Sequence, residues 1–119
     1  MEKLLENCMN DKLQIIRIYK SILKEVYLAM INIPKVHYSL KKLIIKEMFC
    51  YLKYLYLSND ISNKDIRLKK KEEIVIEFKY IASLIAMLNE YKILGEKKYL
   101  SIVNKEQLLL RLMNRWESI

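Results

Sequence analysis

The sequence predicts an all-α protein, folded as one antiparallel up-down four-helix bundle, and three observations lead there. The 119 residues include one Gly and one Pro, where average usage is about 7% and 5%. A Gly or Pro inside a helix costs about 1–3 kcal/mol relative to Ala, so a chain nearly free of both permits long helices. Apolar residues make up 53%, enough for a core without disulfides, and they recur at three- and four-residue spacings over four segments. Three short breaks separate those segments, as between antiparallel neighbours in a bundle. No low-complexity linker interrupts the chain, so 1–119 reads as a single domain.

The first helix is expected over 11–31, with Asn10 or Asp11 as N-cap and residues 2–9 either extending it or fraying. Ile15, Tyr19, Ile22, Val26 and Met30 stack on one face. Pro34 closes the segment, because the residue before a proline is pushed out of the helical region. Ser39 is expected to cap a second helix over 40–57, broken at Asn59-Asp60. That helix is apolar almost all round, from Leu43, Ile44 and Ile45 through Met48, Phe49 and Leu52 to Tyr56. A helix of that kind must be covered on more than one side. A bundle covers one face, so Phe49, Leu52 and Tyr56 are candidates for a subunit interface in a homo-oligomer.

The third helix, over 63–93 with Gly95 as its C′ residue, carries Ile74, Phe78, Ile81, Ile85 and Leu88 in heptad-like register. Extended backwards, that register lands on Lys71, Arg67 and Lys64, so this end overhangs into solvent or faces an anionic partner. The fourth helix, over 96–117, places Tyr99, Ile102, Leu109, Met113 and Trp116 inward. Of the nine tyrosines, Tyr19, Tyr54, Tyr80, Tyr91 and Tyr99 fit core or interface positions.

Catalysis finds little to work with. His37 is the only histidine, no Cys-x-x-Cys pair occurs, and one glycine cannot build a phosphate-cradling loop. The acids sit mostly beside lysines, as in Lys105-Glu106, and read as solvated helix surface. We therefore expect no enzyme, catalytic residue, metal or cofactor. The N-terminus carries acids where a secretion signal is basic and then apolar. The longest mostly apolar stretch, Tyr80 to Leu88, is far short of the roughly 20 residues needed to span a bilayer. The expected compartment is the cytoplasm, with Cys8 and Cys50 reduced and packed and no membrane partner.

The charge is informative. Lys and Arg number 22 against 14 acids, a net +8 that attracts polyanions. Lys42, Lys46 and Lys53 fall within one arc of the second helix, flanked by Phe49 and Tyr56. Arg17, Lys20 and Lys24 align on the first helix, and Lys97, Arg111 and Arg115 on the fourth. With Lys64, Arg67, Lys70 and Lys71 they form the candidate surface for RNA or DNA, where cations release counterions and aromatics stack on bases. The competing reading is that a Lys-rich chain uses Lys for every solvent stripe.

The segment Ile33-Pro34-Lys35-Val36-His37-Tyr38-Ser39-Leu40 resembles the connection between the first two helices of a four-helix-bundle protein family. That family includes proteins encoded in bacterial 23S ribosomal RNA intervening sequences and Avd, the accessory variability determinant of diversity-generating retroelements. Leu84 to Leu94 is similar to the end of the family's third helix. Lys97-Lys98-Tyr99 is similar to the opening of its fourth, and Leu112-Met113-Asn114-Arg115-Trp116 to its close. The connection is one residue shorter here, Val36 replaces a small polar residue, and Asn114-Arg115 stand where two glycines are common. The resemblance implies a ring-like homopentamer with a basic surface, and no catalytic residues. In the retroelement branch it implies binding to a reverse transcriptase and its template RNA and cDNA. The alternative is a structural or protein-interaction bundle of the intervening-sequence type, without nucleic-acid affinity.

Overall fold

The computed structural model describes the backbone of residues 2–59 and 64–115, and within these the side chains of all but residues 2–13, 59, 64 and 67. These residues form α1 (Glu2–Ala29), a short 3-10 turn (Lys35–His37), α2 (Tyr38–Asn59), α3 (Lys64–Glu90) and α4 (Glu96–Arg115). Described residues include no strand. Each helix packs on two others in the cyclic order α1–α2–α3–α4–α1, the arrangement expected of an up-down bundle. The body measures 52 × 24 × 18 Å.

Heptad-spaced residues build the core as the sequence predicts. Ile15, Tyr19, Ile22, Val26 and Met30 of α1 are buried, as are Ile74, Phe78, Ile81, Ile85 and Leu88 of α3. In α4 Ile102, Leu109 and Met113 are buried, while Tyr99 is half-buried and Trp116 lies outside the described residues. Ile44, Met48, Tyr51 and Leu55 of α2 join the same core, with Ile16, Leu23, Leu84 and Leu112 from the other helices.

Tyr19, Tyr51 and Phe78 meet at the centre, one from each of three helices. Their rings lie 5.0, 6.0 and 6.3 Å apart in the three pairings. A buried phenol must place its proton. The Tyr19 hydroxyl donates to the Met48 carbonyl at 2.6 Å, and that of Tyr51 to the Ile74 carbonyl at 2.7 Å. A helical carbonyl has a second lone pair, so both bonds form without breaking the helix ladders. Burial raises both phenol pKa values well above the ordinary 10.

Helix ends differ from expectation at several places. α1 runs through Asn10 and Asp11, neither of which is its N-cap, because nothing in residues 2–9 breaks a helix. Ser39 lies inside α2 rather than capping it. Pro34 is extended, and its carbonyl accepts from the His37 N–H at 3.0 Å, starting the 3-10 turn that leads directly into α2. α2 continues to Asn59, with the buried Ser58 hydroxyl donating to the Tyr54 carbonyl at 2.8 Å.

α3 stops at Glu90, short of the expected 93, and Gly95 is not its C′ residue. Lys92 takes the left-handed conformation, with φ of 59°. The Ile93 N–H reaches the Leu88 carbonyl at 2.9 Å, and the Lys92 N–H the Asn89 carbonyl at 3.0 Å, the two bonds of a Schellman motif. Gly95 instead offers its carbonyl to the Tyr99 N–H at 2.9 Å, at the start of α4.

Two stability measurements follow from this packing. Tyr19→Phe and Tyr51→Phe should each lower unfolding free energy by about 0.5–1.5 kcal/mol, since each carbonyl keeps its helical donor. A loss above about 3 kcal/mol in urea titration would contradict that. Lys92→Gly should raise stability by about 0.5–1 kcal/mol by relieving the left-handed φ, read as a higher melting temperature.

Candidate functional site

On α2, the residues Ile44, Met48, Tyr51 and Leu55 face the core. One hundred degrees per residue then puts Lys42, Lys46 and Lys53 on the opposite, exposed face beside Phe49 and Tyr56. α1 brings a second basic row alongside, with Arg17, Lys20 and Lys24 all exposed. Where the two helices meet they leave an open groove of about 490 Å³, lined by Lys20, Leu23, Lys24, Tyr27, Phe49 and Leu52. Further along the same seam the Lys20 ammonium lies 5.4 Å from the centre of the Tyr56 ring. Tyr27, Phe49 and Tyr56 keep 48%, 49% and 47% of their surface exposed. Large apolar rings held half out of the core beside unpaired cations are the least ordinary feature of this surface.

Charge is segregated along the chain. Residues 14–58 hold eight Lys and Arg against two acids, which is +6 of the total +8. The two acids, Glu25 and Glu47, sit on the far flanks: Glu25 pairs across to α4, and Glu47 lines the α2–α3 side. Among the described residues no carboxylate pairs with Lys20, Lys24, Lys42, Lys46 or Lys53.

Of the other expected basic residues, Lys70, Lys71, Arg111 and Arg115 do not join this face. Lys70 is engaged within the fold. It lies 3.2 Å from Glu73, and the Tyr54 hydroxyl donates to the same carboxylate at 2.7 Å. The hydrogen bond from Tyr54, then that from Lys70, hold the Glu73 carboxyl below its usual range. Lys71 donates to the Asn114 carbonyl at 3.2 Å, a favourable place for a cation at the C-terminal end of α4. The basic continuation of the α3 register is therefore partly a structural device. The side chains of Lys64 and Arg67 lie outside the described residues. Arg111 and Arg115 are exposed on α4, which lies diagonally across the bundle from α2.

The α2–α3 side offers a groove of about 410 Å³ of the opposite character, lined by Glu47, Glu73 and Glu77 with Cys50, Tyr51, Tyr54 and Ile76. Cys50 is free and exposed, so it does not pack within the chain as expected; it falls on the outer part of α2. The Cys8 side chain lies outside the described residues. Tyr80 and Tyr91 are half-exposed rather than core, and the Tyr91 ring stacks on His37 at 6.0 Å. No group of three His, Cys, Asp or Glu side chains among the described residues is placed to hold a metal. No helix there is long and apolar enough to cross a membrane.

The α1–α4 seam overturns the reading of Lys105-Glu106 as solvated surface. Lys105 reaches across to Glu25 at 3.2 Å and to the Ser21 hydroxyl at 2.8 Å, and Ser101 donates to the same Glu25 oxygen at 3.4 Å. Glu106 falls between Ile102 and Leu109 on the inner face of its helix. One carboxylate oxygen of Glu25 and one of Glu106 are buried without a hydrogen-bond partner among the described residues. Burial pushes the Glu106 carboxyl up to about 7. The i, i+4, i+7 spacing of Ile102, Glu106 and Leu109 was the signal for this position.

In comparisons with protein-family models, with curated proteins and with solved structures, nothing matches this chain.

The sign of the Glu106 effect is set by its raised pKa. The folded state holds a proton that the unfolded chain releases at its lower, ordinary pKa near 4.5. Its contribution to stability is therefore full below pH 4.5 and is lost as the pH rises through about 7. Melting temperature should fall across that window. Glu106→Gln should flatten the fall and be the more stable protein at pH 8, which thermal melts over a pH series would read.

Proposed function

We propose that this protein is a non-catalytic binding protein whose α1–α2 face holds nucleic acid. The observation that carries the reading is the segregation of charge: residues 14–58 of the α1–α2 hairpin bear +6 of the net +8, and its outward lysines have no carboxylate partner among the described residues. Phosphates supply what those lysines lack. A protein that neutralises them displaces condensed counterions and gains affinity without reading sequence. Lys42, Lys46 and Lys53 from α2 contribute alongside Lys20 and Lys24 from α1, while Arg111 and Arg115 would form a separate contact.

The resemblance extends this reading to an Avd-like accessory subunit, holding a reverse transcriptase and its template RNA or cDNA in a diversity-generating retroelement. The motifs quoted from the sequence support that extension, as they do assembly into a ring-like homopentamer. A second reading, an interaction bundle without nucleic-acid affinity, is favoured by one observation. Phe49 and Leu52 line the same groove as Lys20 and Lys24, and Tyr56 continues it. A protein partner seated there would compete directly with nucleic acid.

Binding of RNA and duplex DNA across a salt series, with mass measured on the same sample, tests the proposal. The logarithm of the affinity should fall linearly with the logarithm of salt, by about 0.7–0.9 per phosphate contacted. Lys46→Glu with Lys53→Glu should cost about tenfold or more at low salt, whereas Lys79→Glu with Lys98→Glu on α3 and α4 should cost much less. Absence of binding at low salt would leave the interaction bundle.

A further inference from the structure

We infer that the α1–α2 groove is a stacking site for the bases of single-stranded nucleic acid, with Tyr27 and Phe49 as its platforms. The inference rests on the nucleic-acid reading above and narrows it to a strand type. Lysines alone do not distinguish single strands from duplexes, because both present phosphates. Exposed rings do, since a paired base inside a duplex has no free face and an unpaired base has two.

The geometry supplies what a single strand needs. Tyr27 from α1 and Phe49 from α2 line one groove, floored by Leu23 and Leu52 and rimmed by Lys20 and Lys24. Half of each ring is open to solvent, which costs the isolated protein apolar hydration that a stacked base removes. Tyr56 lies about 10 Å further along α2, two helical turns from Phe49. Lys20 already covers one face of that ring, so Tyr56 fixes the ammonium at the mouth of the groove and is not itself a platform.

Charge argues against a second copy of the chain as the occupant. A two-fold symmetric contact through this face would set Lys20 and Lys24 against their own equivalents, with no acid at hand. A head-to-tail contact with the acidic groove avoids that clash. One of its three carboxylates, Glu73, is however already neutralised by Lys70 within the fold.

The test uses the full chain with three labelled probes at one salt concentration: oligouridylate, a duplex of the same length, and heparin, which carries charge without bases. Oligouridylate should bind about tenfold or more tighter than either competitor. Tyr27→Ala and Phe49→Ala should each reduce that margin by about fivefold to a hundredfold. Phe49→Tyr should preserve it and Phe49→Leu should not, which separates stacking from simple apolar contact. Both positions are half-open, and circular dichroism checks the fold of each of the four variants. Equal binding to the three probes, or a margin indifferent to the alanine variants, would overturn the stacking site and leave the wider nucleic-acid reading standing. Binding to none would remove both. An oligomer that Phe49→Ala converts to monomers, with no change in strand preference, would name a second copy as the occupant and overturn the inference.

Discussion

Two phenolic protons at the centre of the bundle constrain the rest of the structure. Tyr19 hands its proton to a carbonyl of α2, and Tyr51 hands its own to a carbonyl of α3. A buried hydroxyl left without an acceptor costs about 1–3 kcal/mol, roughly twice what the bond itself contributes. Sliding α1 along α2, or α2 along α3, by one residue would therefore orphan a proton as well as misplace a ring. Apolar side chains alone tolerate such slips, because hydrophobic burial has no direction. The hydroxyls supply direction, and Phe78 closes the triangle of rings between them.

With three helices registered in this way, α2 presents one fixed edge to each neighbour. Its core row is committed to the bundle, so its lysines and remaining aromatics point outward. The seam with α1 collects cations, while the seam with α3 collects carboxylates. On the far side of α1, Glu25 and Lys105 neutralise one another at the boundary with α4. The polar residues thus sort into pairs that hold helices together and an unpaired set that does not. On the α1–α2 face the unpaired lysines meet half-exposed rings and no neighbouring carboxylate among the described residues, which is the physical basis of the binding reading.

Much of the fold was legible from spacing. The heptad residues of α1 and α3 are buried as their periodicity required, because burial along a helix repeats with the backbone. Ends were harder. The start of α2 depended on a 3-10 turn following Pro34, and the stop of α3 on Lys92 adopting a conformation that composition assigns to glycine. Neither is visible in an apolar pattern. The candidate site was half legible: the arc of Lys42, Lys46 and Lys53 follows from one helix, whereas its meeting with Lys20, Lys24 and Tyr27 requires knowing which helices are neighbours. Lys70 and Lys71 were misleading for the same reason, since Tyr54 of α2 and the Asn114 carbonyl of α4 are among their partners. Glu106 was in register with its apolar neighbours and was hidden by the lysine beside it.

The candidate face is drawn entirely from one helical hairpin. Its lysines, its rings and its groove floor all come from residues 14–58, so on the proposed reading recognition is encoded in a contiguous stretch closed by one short connection. α3 and α4 then act as a buttress for the hairpin, packing on its inner side and lending no residue to the groove. A surface of this kind is separable from its support: sequence drift in the buttress alters how firmly the face is held before it alters what the face prefers.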